Sequence, residues 1–221
     1  MSHRAHTSNL GTPLEAVSRL PWQGKKVRLV SNSPRRLALL RQVGIDPEVC
    51  PVTIDEEPRP DETPEHYVAR LAQEKVERAL QPGADFALGA DTTVVVDATI
   101  LGKPVDPEQA RSMLARLSGR SHRVLTAIAL CRLHDRLLRT RVVATTVWFK
   151  TLTPEEIATY VASGEPMDKA GAYALQGIGA FMVERIEGSC SGVIGLPLME
   201  TLDLLATLCT MEEKNLTQGA V

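Results

Sequence analysis

The chain has 221 residues, 43% of them hydrophobic, and its 25 Lys and Arg stand against 27 Asp and Glu for a net charge of −2. That is enough apolar material for a continuous core in one large domain or two small lobes, and too little positive charge for the broad basic field of a general nucleic-acid binder, so any anion site must be local. No apolar run approaches the roughly 20 residues a membrane helix needs, and Met1 to Thr12 lacks the apolar stretch of a signal peptide, so a cytoplasmic protein without membrane contact is the expectation.

The first two dozen residues, rich in Ser, His and Thr, read as a loosely attached extension (residues 1–26), which leaves 27–210 for the folded domain. Val27 to Ser31 reads as a short strand, Pro34 to Val43 as a helix ended by Gly44, and Pro64 to Leu80 as a longer helix ended near Pro82 and Gly83. Phe86 to Val96 is a β-rich run interrupted by Asp91, Pro107 to Leu117 is helical, and Arg123 to Leu130 and Arg139 to Phe149 alternate as paired strands. Thr153 caps a further helix with Pro154 in its first turn. Met167 to Gly179 is Gly-rich and follows neither period, which marks a functional or connecting loop. Phe181 to Ile186 is a last strand, Leu196 to Leu208 a last helix, and 211–221 a polar tail expected to fray. With no internal repeat and no low-complexity linker, the predicted fold is α/β: a mixed twisted sheet flanked by helices, in two lobes around a central cleft. Cys50, Cys131, Cys190 and Cys209 stand far apart with no CxxC pair, which argues against structural zinc and a disulfide scaffold and is read as buried reduced thiols.

Three places break the preferences of their own secondary structure, and such conflicts collect at functional sites. Ser33 suits a helix cap and Pro34 the first helical position, yet Arg35 and Arg36 put two positive charges at the positive end of the helix dipole, each costing roughly 0.3 to 1 kcal/mol. A phosphate docked on that turn would remove the conflict, each arginine then adding a charge-assisted bond worth about 1.5 to 3 kcal/mol; the alternative is two solvated arginines. On the next helix Val68, Leu71, Ala72, Val76 and Ala79 form one apolar stripe and Lys75 falls on it, so Lys75 either snorkels to the surface or reaches an anion in a cleft. Asp91 sits in a strand interior, where an ionised carboxylate must find a cation, a metal or strong donors, and Gly89 would let a backbone or a ligand come close. A structural salt bridge would satisfy Asp91 equally well.

Lys103 and Lys169 add basic groups from separate loops, each by itself a solvated surface lysine. Glu56, in the run Asp55-Glu56-Glu57, belongs either to a solvated loop or to a metal as its second carboxylate. His122 reads as a hydrogen-bonded structural histidine, since no other histidine stands at ligand spacing. GxxxxGK[ST] and GxGxxG are both missing, which disfavours a P-loop enzyme and a dinucleotide fold.

These segments, in this order, resemble the Maf family of nucleotide pyrophosphatases from Val27 to about Leu205. The resemblance rests on Ser31-Asn32-Ser33-Pro34-Arg35-Arg36, Arg70-Leu71-Ala72-Gln73-Glu74-Lys75, Gly89-Ala90-Asp91-Thr92, Gly102-Lys103-Pro104, Ser118-Gly119 with His122, Asp168-Lys169-Ala170-Gly171-Ala172-Tyr173 through Gln176-Gly177, and Gly195-Leu196-Pro197. It implies a Maf/ITPase-like fold and attack of water on the α-phosphorus of a nucleoside triphosphate, releasing pyrophosphate, with Mg²⁺ or Mn²⁺ as the divalent cofactor. By motif, Asp91 resembles the catalytic carboxylate, as general base or metal ligand, and Glu56 the family's second acidic position. Ser33, Arg35, Arg36, Lys75 and Lys103 resemble the triphosphate contacts, and Lys169 is placed with them. Displacement at phosphorus needs in-line positioning and neutralised oxygens more than covalent chemistry.

The branch similar to uridine and thymidine triphosphate hydrolases carries Arg, Thr and Gln at three points that here read Arg35, Thr92 and Gln176. A glutamine amide offers both a donor and an acceptor, which suits the mixed edge of uracil or thymine. The resemblance therefore implies dTTP, UTP and modified pyrimidine forms as substrates, in cleaning of the nucleotide pool, and a homodimer, the habit of many such relatives. An inosine-triphosphate-type purine pyrophosphatase and a non-catalytic nucleotide-binding regulator of septum formation stay open beside it. The chain departs from the family pattern at Cys190, where a tyrosine is common, and in the extension before Val27.

Overall fold

Four helices begin in the same way, with a side-chain acceptor followed by proline. Helices α1 (Pro34–Gln42), α2 (Pro64–Glu77), α3 (Pro107–Leu117) and α4 (Pro154–Ala162) follow Ser33, Thr63, Asp106 and Thr153, and in each the capping oxygen accepts the N–H three residues on. Such a cap stabilises a helix by about 1 kcal/mol and proline presets the first helical φ, which is why these starts were legible. In α4 the Glu156 carboxylate also accepts the Thr153 N–H at 2.9 Å, closing a capping box. The computed structural model describes residues 20–218, with side chains to residue 211. Most of the expected N-terminal extension therefore lies outside the described residues; of the remainder, Trp22 packs against the core.

The strands are β1 (Val27–Val30), β2 (Glu48–Val49), β3 (Phe86–Val96), β4 (Thr99–Leu101), β5 (Ser121–Arg132), β6 (Leu137–Phe149) and β7 (Val183–Glu187). They form one mixed sheet in the order β2-β1-β3-β5-β6-β7, with β4 hairpinned on β3. β1 is parallel to both its neighbours and the remaining pairs are antiparallel. On one face α2 lays Val68, Ala72 and Val76 over Ala87, Leu125 and Ala127. On the other, Leu39 and Leu40 of α1 meet Leu204, Leu205 and Leu208 of the last helix over Leu88, Ala90 and Ile128. A further core gathers Leu114 of α3 and Tyr160 of α4 around Val94, Val124, Val147 and Phe149. Strands β3, β5 and β6 supply residues to both regions, so two lobes share one sheet, as expected from the sequence.

The differences from expectation have physical causes. β2, β4 and the short helix α5 (Cys190–Ile194) are too brief to show a period. The β3–β4 turn has positive φ at both Asp97 (51°) and Ala98 (59°), the primed hairpin geometry without its usual glycine. The last helix, α6 (Leu198–Gln218), runs on into the expected tail, because polarity alone does not end a helix and no Gly or Pro stands before Gly219. The segment before β7 holds three 3₁₀ turns, Glu165–Asp168, Ala170–Ala172 and Ile178–Met182, and the last takes Phe181 out of the predicted strand. Cys131 and Cys209 are buried, whereas Cys50 is half-buried beyond the edge strand and Cys190 is exposed at the start of α5, so the buried-thiol expectation holds for two of the four. Among the described residues no helix is long and apolar enough to cross a membrane.

Candidate active site

Gly89 sets how closely α2 approaches β3. A Cβ added there would lie 2.5 Å from the Ala72 carbonyl oxygen and 2.8 Å from Val76 Cγ2, so it is a neighbouring backbone that uses the space. That close approach lays Lys75 over Asp91. The buried Lys75 Nζ donates to Asp91 Oδ1 at 2.7 Å and lies 2.9 Å from Glu56 Oε1. The lysine on the apolar stripe thus reaches anions within the protein, and the strand aspartate has found its cation. Burial pushes the Asp91 carboxyl above its ordinary value, with Lys75 and Arg36 opposing the rise. Burial acts in the same sense on Glu56 but is outweighed by the Lys75 hydrogen bond and the charges of Lys75, Lys103 and Arg36, which hold it low.

The loop carrying Glu56 is tied down by α2. Tyr67 Oη donates to the Glu56 carbonyl at 2.8 Å and Arg70 to that of Glu57 at 3.1 Å. Arg70 also forks onto the Glu62 carboxylate at 2.6 and 2.7 Å, and this bond pushes Glu62 down to about 2. Tyr67 is itself pushed up to about 12, first by burial and then by the charges of Asp91 and Glu56. Sequence reasoning assigned no role to Tyr67 or Glu62. The available signal was Tyr67, Arg70 and Glu74 recurring at helical spacing beside the apolar stripe.

At the start of α1, Arg36 joins three segments. Its Nε donates to the Gly195 carbonyl at 2.8 Å, and its terminal nitrogens to Ser31 Oγ at 3.1 Å and Thr92 Oγ1 at 3.3 Å. Burial lowers its pKa, with Asp91 and Glu56 acting against the drop. Arg35 is more exposed and lies 3.7 Å from Asp168, which also contacts Lys169 directly. Thr92, adjacent to Asp91 on the strand and so on the other face of β3, meets Thr126 Oγ1 at 3.0 Å. Lys103 is exposed on the loop after β4, which is held where Gly171 N–H donates to the Gly102 carbonyl at 3.0 Å. Gln176 sits exposed at the rim.

Ser33, Arg35, Arg36, Glu56, Lys75, Asp91, Thr92, Lys103, Lys169 and Gln176 all line one cleft of about 530 Å³. Its charged lining is five cations against Glu56, Asp91 and Asp168, a positive excess within a chain of net charge −2. The positive charge is thus local, as any anion site in a chain of this composition would have to be. His122 lies apart from the charged set, its Nε2 2.8 Å from Tyr173 Oη and its ring edge-on to Phe149, and burial pushes it down to about 4, as befits a structural histidine. Among the described residues no group of three or more His, Cys, Asp and Glu is placed to hold a metal by itself.

A family model described as Maf-like protein matches residues 26–208. The chain is 47% identical to a dTTP/UTP pyrophosphatase of Escherichia coli over 188 residues, covering 84% of this chain and 94% of that one. It is 52% identical to a dTTP/UTP pyrophosphatase of Myxococcus xanthus over 179 residues, covering 80% and 89%. A solved HAM1 protein from Coxiella burnetii is 17% identical with a TM-score of 0.43, covering 85% of this chain and 99% of that one. With the family model matched across both lobes and the relatives aligned over nearly their whole length, the chain belongs to the Maf family.

Proposed function

We propose that this protein hydrolyses nucleoside triphosphates, dTTP and UTP first among them, to the monophosphate and pyrophosphate. One observation carries the reading: cations from α1, α2 and two separate loops converge with Asp91 and Glu56 in a single cleft of nucleotide size. The relatives named dTTP/UTP pyrophosphatase support the same activity.

In this mechanism the triphosphate lies along Ser33, Arg35 and Arg36 at the start of α1, with Lys103 and Lys169 facing it. Asp91, whose affinity for a proton is raised by burial, accepts the proton of a water whose oxygen attacks the α-phosphorus. The bond from that phosphorus to the bridging oxygen breaks, and the cations stabilise the charge on departing pyrophosphate. Lys75 orients Asp91 throughout. Lys75 engages only one oxygen of each carboxylate, so Asp91 and Glu56 would hold a Mg²⁺ or Mn²⁺ ion through their other oxygens, with phosphate and water completing its shell. Such an ion would neutralise phosphate charge and acidify a water. Arg35, Thr92 and Gln176 support the pyrimidine branch, with Gln176 reading the base edge. A cytoplasmic homodimer without nucleic-acid or membrane partners completes the proposal, and size-exclusion chromatography with light scattering tests the dimer.

Pyrophosphate release from dTTP, UTP, ITP and GTP, with Mg²⁺ or Mn²⁺ and with chelator, tests the activity. The expected order puts dTTP and UTP first, with release lost to chelator. Faster release from ITP would make the protein a purine pyrophosphatase, and UTP binding without release would favour the septum-formation regulator.

A further inference from the structure

The turn Leu175–Gln176 is suspended between two anchored points. Before it, the Ala174 N–H donates to Tyr160 Oη at 3.2 Å. After it, the Ile178 and Gly179 N–H groups donate to the two carboxylate oxygens of Glu165, each at 2.9 Å. Tyr160 Oη in turn donates to Glu165 Oε1 at 2.9 Å, so a single phenol–carboxylate pair closes the base of the arch. Tyr160 is buried in the second lobe, 1% exposed, and neither it nor Glu165 lines the cleft.

The glycines of the arch fit this clamp. A Cβ at Gly179 would lie 2.7 Å from Tyr160 Oη and 2.8 Å from the Ala174 carbonyl, and one at Gly177 would run into the Glu165 carboxylate. Burial works against ionisation of Glu165, but the N–H groups of Gly179 and Ile178, with Tyr160 and the charge of Lys169, outweigh it and keep the carboxylate as an acceptor. At the crown, no protein hydrogen bond among the described residues holds the Gln176 amide, so its placement is set by the backbone beneath it. Misplacement of a recognising group by about 1 Å is enough to cost up to about 100-fold in rate.

We propose that Glu165, together with Tyr160, is the positioning residue that fixes Gln176 for recognition of the pyrimidine edge, an inference that rests on the reading of Gln176 given above. Glu165 acts through the arch and touches no substrate atom; Lys169 Nζ, on the phosphate side, meets its backbone carbonyl at 3.5 Å, a contact that a side-chain substitution leaves in place. Its removal should therefore alter which base is preferred and leave the phosphate chemistry alone.

The test compares kcat and KM for UTP and GTP in the wild type, E165Q, Y160F, Q176A and the E165Q/Q176A double variant, with circular dichroism to check folding. E165Q keeps the shape but turns an amide N–H₂ toward the N–H donors; Y160F removes only the shared hydroxyl. Both E165Q and Q176A should lower kcat/KM for UTP by roughly 10-fold, about one hydrogen bond's worth, chiefly through KM and with GTP unchanged. Y160F should lose less in the same direction, and the double variant should be no worse than the poorer single. An unchanged UTP to GTP ratio in E165Q overturns the proposal, as does an equal loss with both nucleotides, which would mark a merely structural role. Losses that multiply in the double variant overturn it too, by showing two independent contributions. If E165Q loses discrimination and Q176A does not, the reading of Gln176 fails and the proposal falls with it. Should E165Q misfold, Y160F with the ratio intact is the overturning result.

Discussion

Lys75 joins Glu56 to Asp91 in the cleft, so its loss should be felt most. Lys75→Met leaves Asp91 buried without its nearest cation. We expect a loss of about 3 kcal/mol, the low end for opening a buried pair, because Asp91 can take up a proton and Glu56 is half exposed. Chemical denaturation at neutral pH measures it, and a neutral effect would mean that the pair contributes nothing to the fold. Asp91→Asn is the contrasting change. Lys75 then keeps Glu56 and an amide acceptor, so stability should stay within about 1 kcal/mol of wild type, while pyrophosphate release falls by roughly 100-fold or more. Near-normal turnover in that variant would place the catalytic carboxylate elsewhere. Arg35, Arg36, Lys75 and Asp91 were legible as candidates because each conflicts with its own helix or strand. Tyr67, Glu62 and Glu165 were not, since a tyrosine or glutamate on a helix or in a turn obeys every local rule and shows its role only through its partners.

At the scale of elements, the approach of α2 to β3 depends on a missing side chain. Gly89→Ala would drive a methyl group into the Ala72 carbonyl, a backbone atom that cannot rotate away. The expected cost is about 1 to 3 kcal/mol of stability, with a loss of turnover as Lys75 is lifted from Asp91. Urea denaturation together with an activity assay checks both; unchanged values would show that α2 slides without consequence. The packing of His122 under Tyr173 makes a pH prediction. With its pKa moved from 6.5 to about 4 by burial, the folded chain refuses a proton that the unfolded chain accepts. Stability should therefore fall as pH drops through that window, and His122→Gln, which still reaches the Tyr173 hydroxyl, should flatten this part of the profile. Melting temperatures measured across the window decide it. The proline-led helix starts were readable because capping is local chemistry; β2, β4 and α5 were not, because two to five residues hold no period.

For the whole molecule, the cleft unites segments distant in the chain, and a ligand that spans them should stiffen both lobes. A non-hydrolysable dTTP analogue at about 100 times its Kd should stabilise the fold by about 2.7 kcal/mol. Arg36→Ala should lose most of that gain, because Arg36 ties the end of β1 and the interior of β3 to the turn after α5. A thermal-shift titration measures the effect, and equal stabilisation of wild type and variant would put the triphosphate elsewhere. Helix starts, alternating strands and the residues that disobey their surroundings could be read along the chain, since all of these follow from contacts within a few positions, and the net charge required any anion site to be local. That Lys75 lies between Glu56 and Asp91, that Asp168 sits beside Arg35 and Lys169, and that Glu165 holds the arch under Gln176 became visible in the folded chain alone. Those contacts join residues brought together by the long strands shared between the lobes, and no periodicity along a chain encodes distance across a cleft.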